Sequence, residues 1–136
     1  MKYWVIKGSP RENNWDAMLK PGTTGTWHTK RPPSGWQKGD RIFCWESTPY
    51  KRIVGLAELR IPLVREDGNG EKFFRIRYLT ERLAYMPDIH ELRGVEELQD
   101  AVFLKSGPAI TVLPVADAEA EKLFSILLNG NSDLES

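Results

Sequence analysis

The chain opens on "KYWVIKG" (2–8), where apolar and polar positions alternate among good β-formers, which predicts a first strand. "SPRENNWDAMLKPG" follows, and here the period changes. Asn13 or Asn14 can cap a short helix whose one face carries Trp15, Met18 and Leu19, with Pro21-Gly22 as its stop. Residues 21–38 show no sustained period and are crowded with Pro, Gly, Thr and Ser. A long ordered loop is expected there, and such loops in compact domains usually carry function.

From residue 38 the period of two returns. "KGDRIFCWES" (38–47) reads as a turn becoming a strand, and "RIVGLAELRIPLVRE" (52–66) as another. A "DGNG" tip then leads into "EKFFRIRYLTE" (71–81), a hairpin signature. In that run Phe74, Ile76 and Tyr78 share one face, and Arg75 and Arg77 share the other. "DIHELRGVEELQDAVFL" suggests short helical pieces, "AITVLPV" (109–115) a last strand, and "DAEAEKLFSILLNG" (117–130) an amphipathic helix ending on Gly130. Residues 131–136 are expected to form a frayed tail behind a single domain over 1–130. Five to six strands with small flanking helices give an α+β fold. The long central hairpins suggest a strongly curved sheet or small barrel.

Composition narrows this. The 136 residues are 40% hydrophobic and 28% charged, as expected of one compact domain with a core. No apolar run approaches the ~20 residues of a membrane span, and "MKYWVIKG" is too short and too alternating for a signal-peptide core. One cysteine, Cys44, excludes an internal disulfide and suits a reducing, cytoplasmic setting. Net charge is zero, yet residues 1–65 hold 12 Lys/Arg against 5 Asp/Glu, while residues 66–136 hold 7 against 14. Either the halves interleave and cancel, or a basic face contacts a few phosphates with salt-sensitive affinity.

The familiar catalytic patterns are missing. There is no phosphate-cradling glycine loop and no His-Glu-x-x-His helix. His28, Cys44 and His90 lack ligand spacing, so no metal or cofactor is implied. Cys44 alternates with Ile42 and reads as a core residue rather than a nucleophile. What stands out instead is aromatic: five tryptophans. Trp4 and Trp15 read as core. Trp27 and Trp36 fall in the loop region, and Trp45 sits beside Glu46 and Ser47. In "GTWHTKR" (25–31) a ring is flanked by His28, Lys30 and Arg31, the combination a base-binding pocket needs: a π-face for stacking and cations for phosphates. Alternatively, Trp27 packs over the end of the fold.

The segments "KYWVIKGSP", "NWDAML", a loop Trp, "KGDRIFCWES" and "RIVGLAEL" resemble, in order, the EVE domain family. That family belongs to the PUA-like group, which also includes YTH domains. "GTWHTK" is similar to the YTH segment whose Trp is one wall of a methylated-base cage. "FRIRYL" is similar to the strand supplying a second wall, and "IKGSPRENN" to the segment whose Asn reads the base edge. The chain departs from the EVE pattern in having Trp27-His28-Thr29-Lys30-Arg31 after the loop Trp position and Trp45-Glu46-Ser47 at the strand end.

The resemblance implies a PUA-like barrel that binds DNA or RNA carrying a methylated or hydroxymethylated base, and a monomer is expected. Trp27 and Tyr78, or Trp45, would form the cage, with Ser9, Asn13, His28 and Ser47 at the base edge. Lys7, Lys30, Arg31, Arg75 and Arg77 would contact phosphates or frame the mouth. Two other classes remain open. One is an enzyme like the related ASCH domains, whose Gly-x-Lys-x-x-Glu-x-Arg signature is not found here; the other is a module for a small molecule or peptide.

Overall fold

The structure, a computed structural model, describes residues 1–105 and 111–134. Six strands form one mixed sheet: β1 (Tyr3–Gly8), β2 (Thr24–Thr29), β3 (Arg41–Glu46), β4 (Arg52–Glu66), β5 (Lys72–Tyr78) and β6 (Val112–Val115). Their order is β2-β5-β4-β3-β1-β6. Only β1 and β3 run parallel; the remaining neighbours are antiparallel. Helices α1 (Trp15–Met18), α2 (Ile89–Arg93) and α3 (Asp117–Gly130) pack around it, with single 3-10 turns at Glu96–Leu98 and Val102–Leu104.

The α+β expectation holds, with a correction to its geometry. Among the described residues β2 and β6 do not pair, so the sheet is open rather than a closed barrel. The long hairpin does not close the sheet but extends it. Beyond Glu58, β4 leaves β3 and pairs only with β5, with register shifts between Leu59 and Ile61 and between Ile61 and Arg65.

Residues 21–38 are also not one loop. "TGTWHT" forms the edge strand β2, with Trp27 opposite Phe74 and Gly25 opposite Ile76. Only Gly25, Trp27 and Thr29 turn inward, so no apolar alternation marks the strand. Thr and Trp nonetheless favour a half-buried pleated surface once β5 supplies it. Of the last strand, residues 109–110 lie outside the described residues, as do 135–136 at the end. Beyond α3, the Asn131 Oδ1 accepts from Tyr85 N at 2.9 Å, and its Nδ2 donates to Tyr85 O and Leu127 O, which holds the chain against the domain.

Strand alternation divides the core into two layers. Trp4, Ile6, Ile42, Cys44, Phe74 and Ile76 face one side, where Trp15 and Leu19 of the α1 segment cover them. Val5, Phe43, Trp45 and Ile53 face the other, against Leu123 and Leu127 of α3. Cys44 is fully buried, which pushes its thiol up to about 12 and keeps it protonated. The Lys38-Gly39-Asp40 turn is locked by its carboxylate: Asp40 accepts from Lys2 N at 3.1 Å, Trp4 Nε1 at 3.0 Å and Gln37 N at 2.9 Å. Burial alone would raise its pKa. The bonds from Trp4, Gln37 and Lys2, with the N-terminal charge, outweigh burial and hold it below the usual carboxylate value.

Candidate functional site

At the end of β1 the chain turns through residues 9–13 into α1. Ser9 O accepts from Asn13 N at 2.9 Å and from Asn13 Nδ2 at 3.0 Å, which fixes that side chain and leaves its Oδ1 as the remaining acceptor. Ser9 Oγ accepts from Arg11 N at 3.1 Å. The helix cap is Asn14, whose Oδ1 accepts from Ala17 N at 3.2 Å, so Asn13 is left to face the turn. Trp15 Nε1 donates to Gly8 O at 3.2 Å, and the Trp15 and Trp27 rings lie 5.5 Å apart, tilted by 33°. A Cβ on Gly8 would meet both indoles at 2.8 Å and Asn13 Nδ2 at 3.0 Å. Glycine at the strand exit is therefore what lets these three side chains close together.

Strand β2 brings the opposite wall. Trp27 Nε1 donates to Tyr78 Oη at 3.0 Å, a buried bond between residues 51 apart in sequence. The hydroxyl, as acceptor, keeps its own proton to donate. Burial raises the phenol's pKa, offset in part by the Trp27 bond and reinforced by Cys44, so Tyr78 remains neutral at physiological pH. The two rings meet through this bond rather than facing each other across a gap. Gly25 makes the approach possible, since a Cβ there would lie 2.5 Å from Tyr78 Oη. At the end of β3, Ser47 N donates to Gly8 O at 3.0 Å. Beside it the buried Glu46 takes Arg52 Nε at 2.9 Å and an Arg82 nitrogen at 3.4 Å, and Arg82 continues to Asp16 at 3.2 Å. That chain of charges ties α1 to the strand end.

These elements enclose a cleft of about 1090 Å³ that Ser9, Asn13, Trp27, His28, Ser47 and Tyr78 all line. The residues named from sequence for base contact thus come together, apart from Trp45. Trp45 is 1% exposed and sits on the opposite face of the sheet, edge-on to Phe103 at 5.8 Å. Its odd-numbered place beside Phe43 sends it there, and it is core. Trp27 itself is 8% exposed, so it is both a core ring and a cleft wall.

The cationic candidates separate. Lys7 lines the cleft, but its Nζ donates to Phe103 O at 2.9 Å and lies 5.7 Å from the Trp45 ring; burial, then the charge of Lys51, lowers its pKa. Lys30 and Arg31 follow β2, exposed, with no carboxylate in ion-pair range among the described residues. Arg75 and Arg77 turn away from Tyr78 onto the outer face, where Arg77 reaches Glu58 at 3.6 Å. His28 stands at the rim with Nδ1 3.0 Å from Glu71 Oε2. Sequence reading missed Gly8, Gly25, Thr26 and Thr111 as cleft residues; the glycines at a strand exit and within a strand were the legible signal.

A second cleft, about 770 Å³ between α3 and residues 79–84, contains none of these side chains. Among the described residues no cluster of three or more His, Cys, Asp or Glu could hold a metal ion, and no helix is long and apolar enough to cross a membrane.

No curated protein matches the chain by sequence. Solved structures do match. A hypothetical protein from Leishmania major is 19% identical with a TM-score of 0.81, the match covering 95% of this chain and 96% of that one. Rpa0253 from Rhodopseudomonas palustris is 23% identical with a TM-score of 0.76, covering 100% and 97%. Human THYN1, solved in complex with 5-methylcytosine-containing DNA, is 12% identical with a TM-score of 0.73, covering 100% of both chains. At these identities the likeness establishes the fold. The family model of the EVE domain matches residues 2–126, nearly the whole chain, and the chain belongs to the EVE domain family.

Proposed function

We propose that the chain is a monomeric nucleic-acid-binding module that takes a modified base, methylated or hydroxymethylated, into the cleft beside Trp27. The observation that carries this reading is the convergence of Ser9, Asn13, Trp27, His28, Ser47 and Tyr78 on that one cleft. The complex of THYN1 with 5-methylcytosine-containing DNA, on the same fold, supports the ligand class.

In this reading the base lies against Trp27, which Trp15 backs at 5.5 Å. The Tyr78 hydroxyl donates to the base edge, Asn13 Oδ1 accepts from an exocyclic amine, and the Ser9 and Ser47 hydroxyls complete the set. An added methyl discriminates by about 1–3 kcal/mol in an apolar site. Extracting the base from a duplex costs a few kcal/mol, less from a single strand. Lys30 and Arg31, exposed just after β2, hold phosphates. The module binds without turnover, and labelled RNA incubated with it should stay intact.

The test is a panel of short single- and double-stranded oligonucleotides at fixed salt. It compares plain strands with strands carrying 5-methylcytosine, 5-hydroxymethylcytosine or N6-methyladenine. One modified strand should bind at least about fivefold tighter than its plain counterpart. Equal affinity across the panel would defeat the reading.

A further inference from the structure

The sheet has a second surface that the cleft does not use. Because Phe74, Ile76 and Tyr78 point into the core, Phe73, Arg75 and Arg77 project from the outer side of β5. Register sets their neighbours: His28, Thr26 and Thr24 on β2, and Arg65, Ile61 and Glu58 on β4. α3 packs against Val5 and Phe43, over the β1–β3 side, and Thr26, His28, Ile61, Arg65 and Arg77 are exposed on this outer part. The result is an open three-stranded face.

Its chemistry is specific. The Arg65 guanidinium lies 3.7 Å over the centre of the Phe73 ring, and His28 flanks the same ring at 5.5 Å. Arg65 and Arg75 have no carboxylate in ion-pair range among the described residues. Arg60 and Arg77 share one carboxylate, Glu58, at 3.4 and 3.6 Å, and it also takes Arg41 at 2.8 Å. Glu71 pairs with His28 of β2 at 3.0 Å, while Glu66 and Asp67 lie at the hairpin tip. Arg60, Arg65, Arg75 and Arg77 therefore outnumber the acids Glu58 and Glu71 on this face, with exposed Ile61 and Leu63 alongside. Thr26 and His28 belong to this face and also line the cleft, so the two surfaces are continuous across the β2 edge.

We propose that this face binds the nucleotides flanking the base held in the cleft, as a single strand laid across β2, β5 and β4. The inference rests on the reading of the cleft as a base site. Planar cations held flat on aromatic rings are stacking platforms for unpaired bases, and free guanidiniums pair with phosphates. A polyanion with exposed rings is the occupant that satisfies both features; a purely acidic peptide would leave the stacked Arg65–Phe73 pair without a role.

The test uses the full chain and two ligands carrying the same modified base: a trinucleotide, and an 11-mer with the base central. Each is compared with its plain version, for wild type and for Arg65→Ala/Arg75→Ala. The double variant should weaken both 11-mers by about tenfold and flatten the salt dependence by about 1.4 units, at ~0.7 per phosphate of a single strand. Trinucleotide affinity should stay within about twofold. Unchanged 11-mer affinity would overturn the proposal. So would a wild-type dimer that Ile61→Asp converts to monomer, because a second copy would then own the face. Absence of base preference in the wild type, with the 11-mer loss intact, would instead count against the cleft and in favour of the face.

Discussion

Replacing Gly25 by alanine should uncouple the cleft from inside. Gly25 needs no left-handed backbone; what it provides is space. A Cβ there would sit 2.5 Å from Tyr78 Oη, 3.0 Å from Cε2 and 3.1 Å from Cζ, against the ~3.5–4.0 Å of an unstrained contact. Crowding of this kind costs about 1–3 kcal/mol. If the ring retreats, the buried Trp27 N–H loses its 3.0 Å acceptor, for a further ~1–3 kcal/mol. Alanine returns only about 0.4–1 kcal/mol by restricting the unfolded chain. The net loss should be about 1–5 kcal/mol, read as a lower urea midpoint at constant slope. A double-mutant cycle isolates the cause. In a Tyr78→Phe background the nearest atom is a ring carbon at 3.0 Å, and Gly25→Ala should cost at least about 1 kcal/mol less there. Equal cost in both backgrounds, or a neutral Gly25→Ala, would refute the argument that Gly25 is kept for the Tyr78 hydroxyl.

Trp27→Ala should lower stability by about 3–5 kcal/mol as a large core truncation, measured by urea unfolding. Trp27→Phe is therefore the variant for binding, and should keep stacking while losing the Tyr78 bond. Lys30→Ala/Arg31→Ala should weaken modified and plain strands equally and flatten the salt slope by one to two units, at about 0.7–0.9 per phosphate; a changed ratio would mean these residues read the base. Asp40 has its folded pKa depressed, so its stabilisation is present above its unfolded value of about 3.9 and is lost as pH falls through the lower folded value. Asp40→Asn should flatten the acid limb of a pH–stability curve, while costing about 1–3 kcal/mol near neutrality because donors from Trp4 and Gln37 meet an amide. Cys44, with its thiol pushed up to about 12, should resist alkylation until denaturant unfolds the chain.

Much of this was legible where the period was local. The alternation of "KYWVIKG" and "RIFCWES" sets the two-layered core, and "FRIRY" assigns Tyr78 and Arg77 to opposite faces without any partner in view. What escaped was non-local. β2 exists because β5 supplies a ladder about 50 residues away, and "TGTWHT" has too little apolar alternation to announce it. Trp45 looked like a cage candidate because it stands beside Glu46 and Ser47 at a strand end, and Ser47 does line the cleft; a one-residue step along a strand reverses the face. Closure into a barrel was inferred from the hairpin's length. Length cannot distinguish a strand that curls onto β1 from one that outruns β3 to build an open outer face.

The claim that the cleft beside Trp27 is the base site is tested most directly by the tryptophan indole N–H resonances. They would be assigned with Trp27→Phe and followed by proton–nitrogen NMR during titration with matched modified and plain oligonucleotides. The Trp27 signal should shift with the modified strand and move far less with the plain one, while Trp45, across the sheet, stays in place. A Trp27 signal that ignores both strands while they bind, or that responds to them equally, would contradict the account.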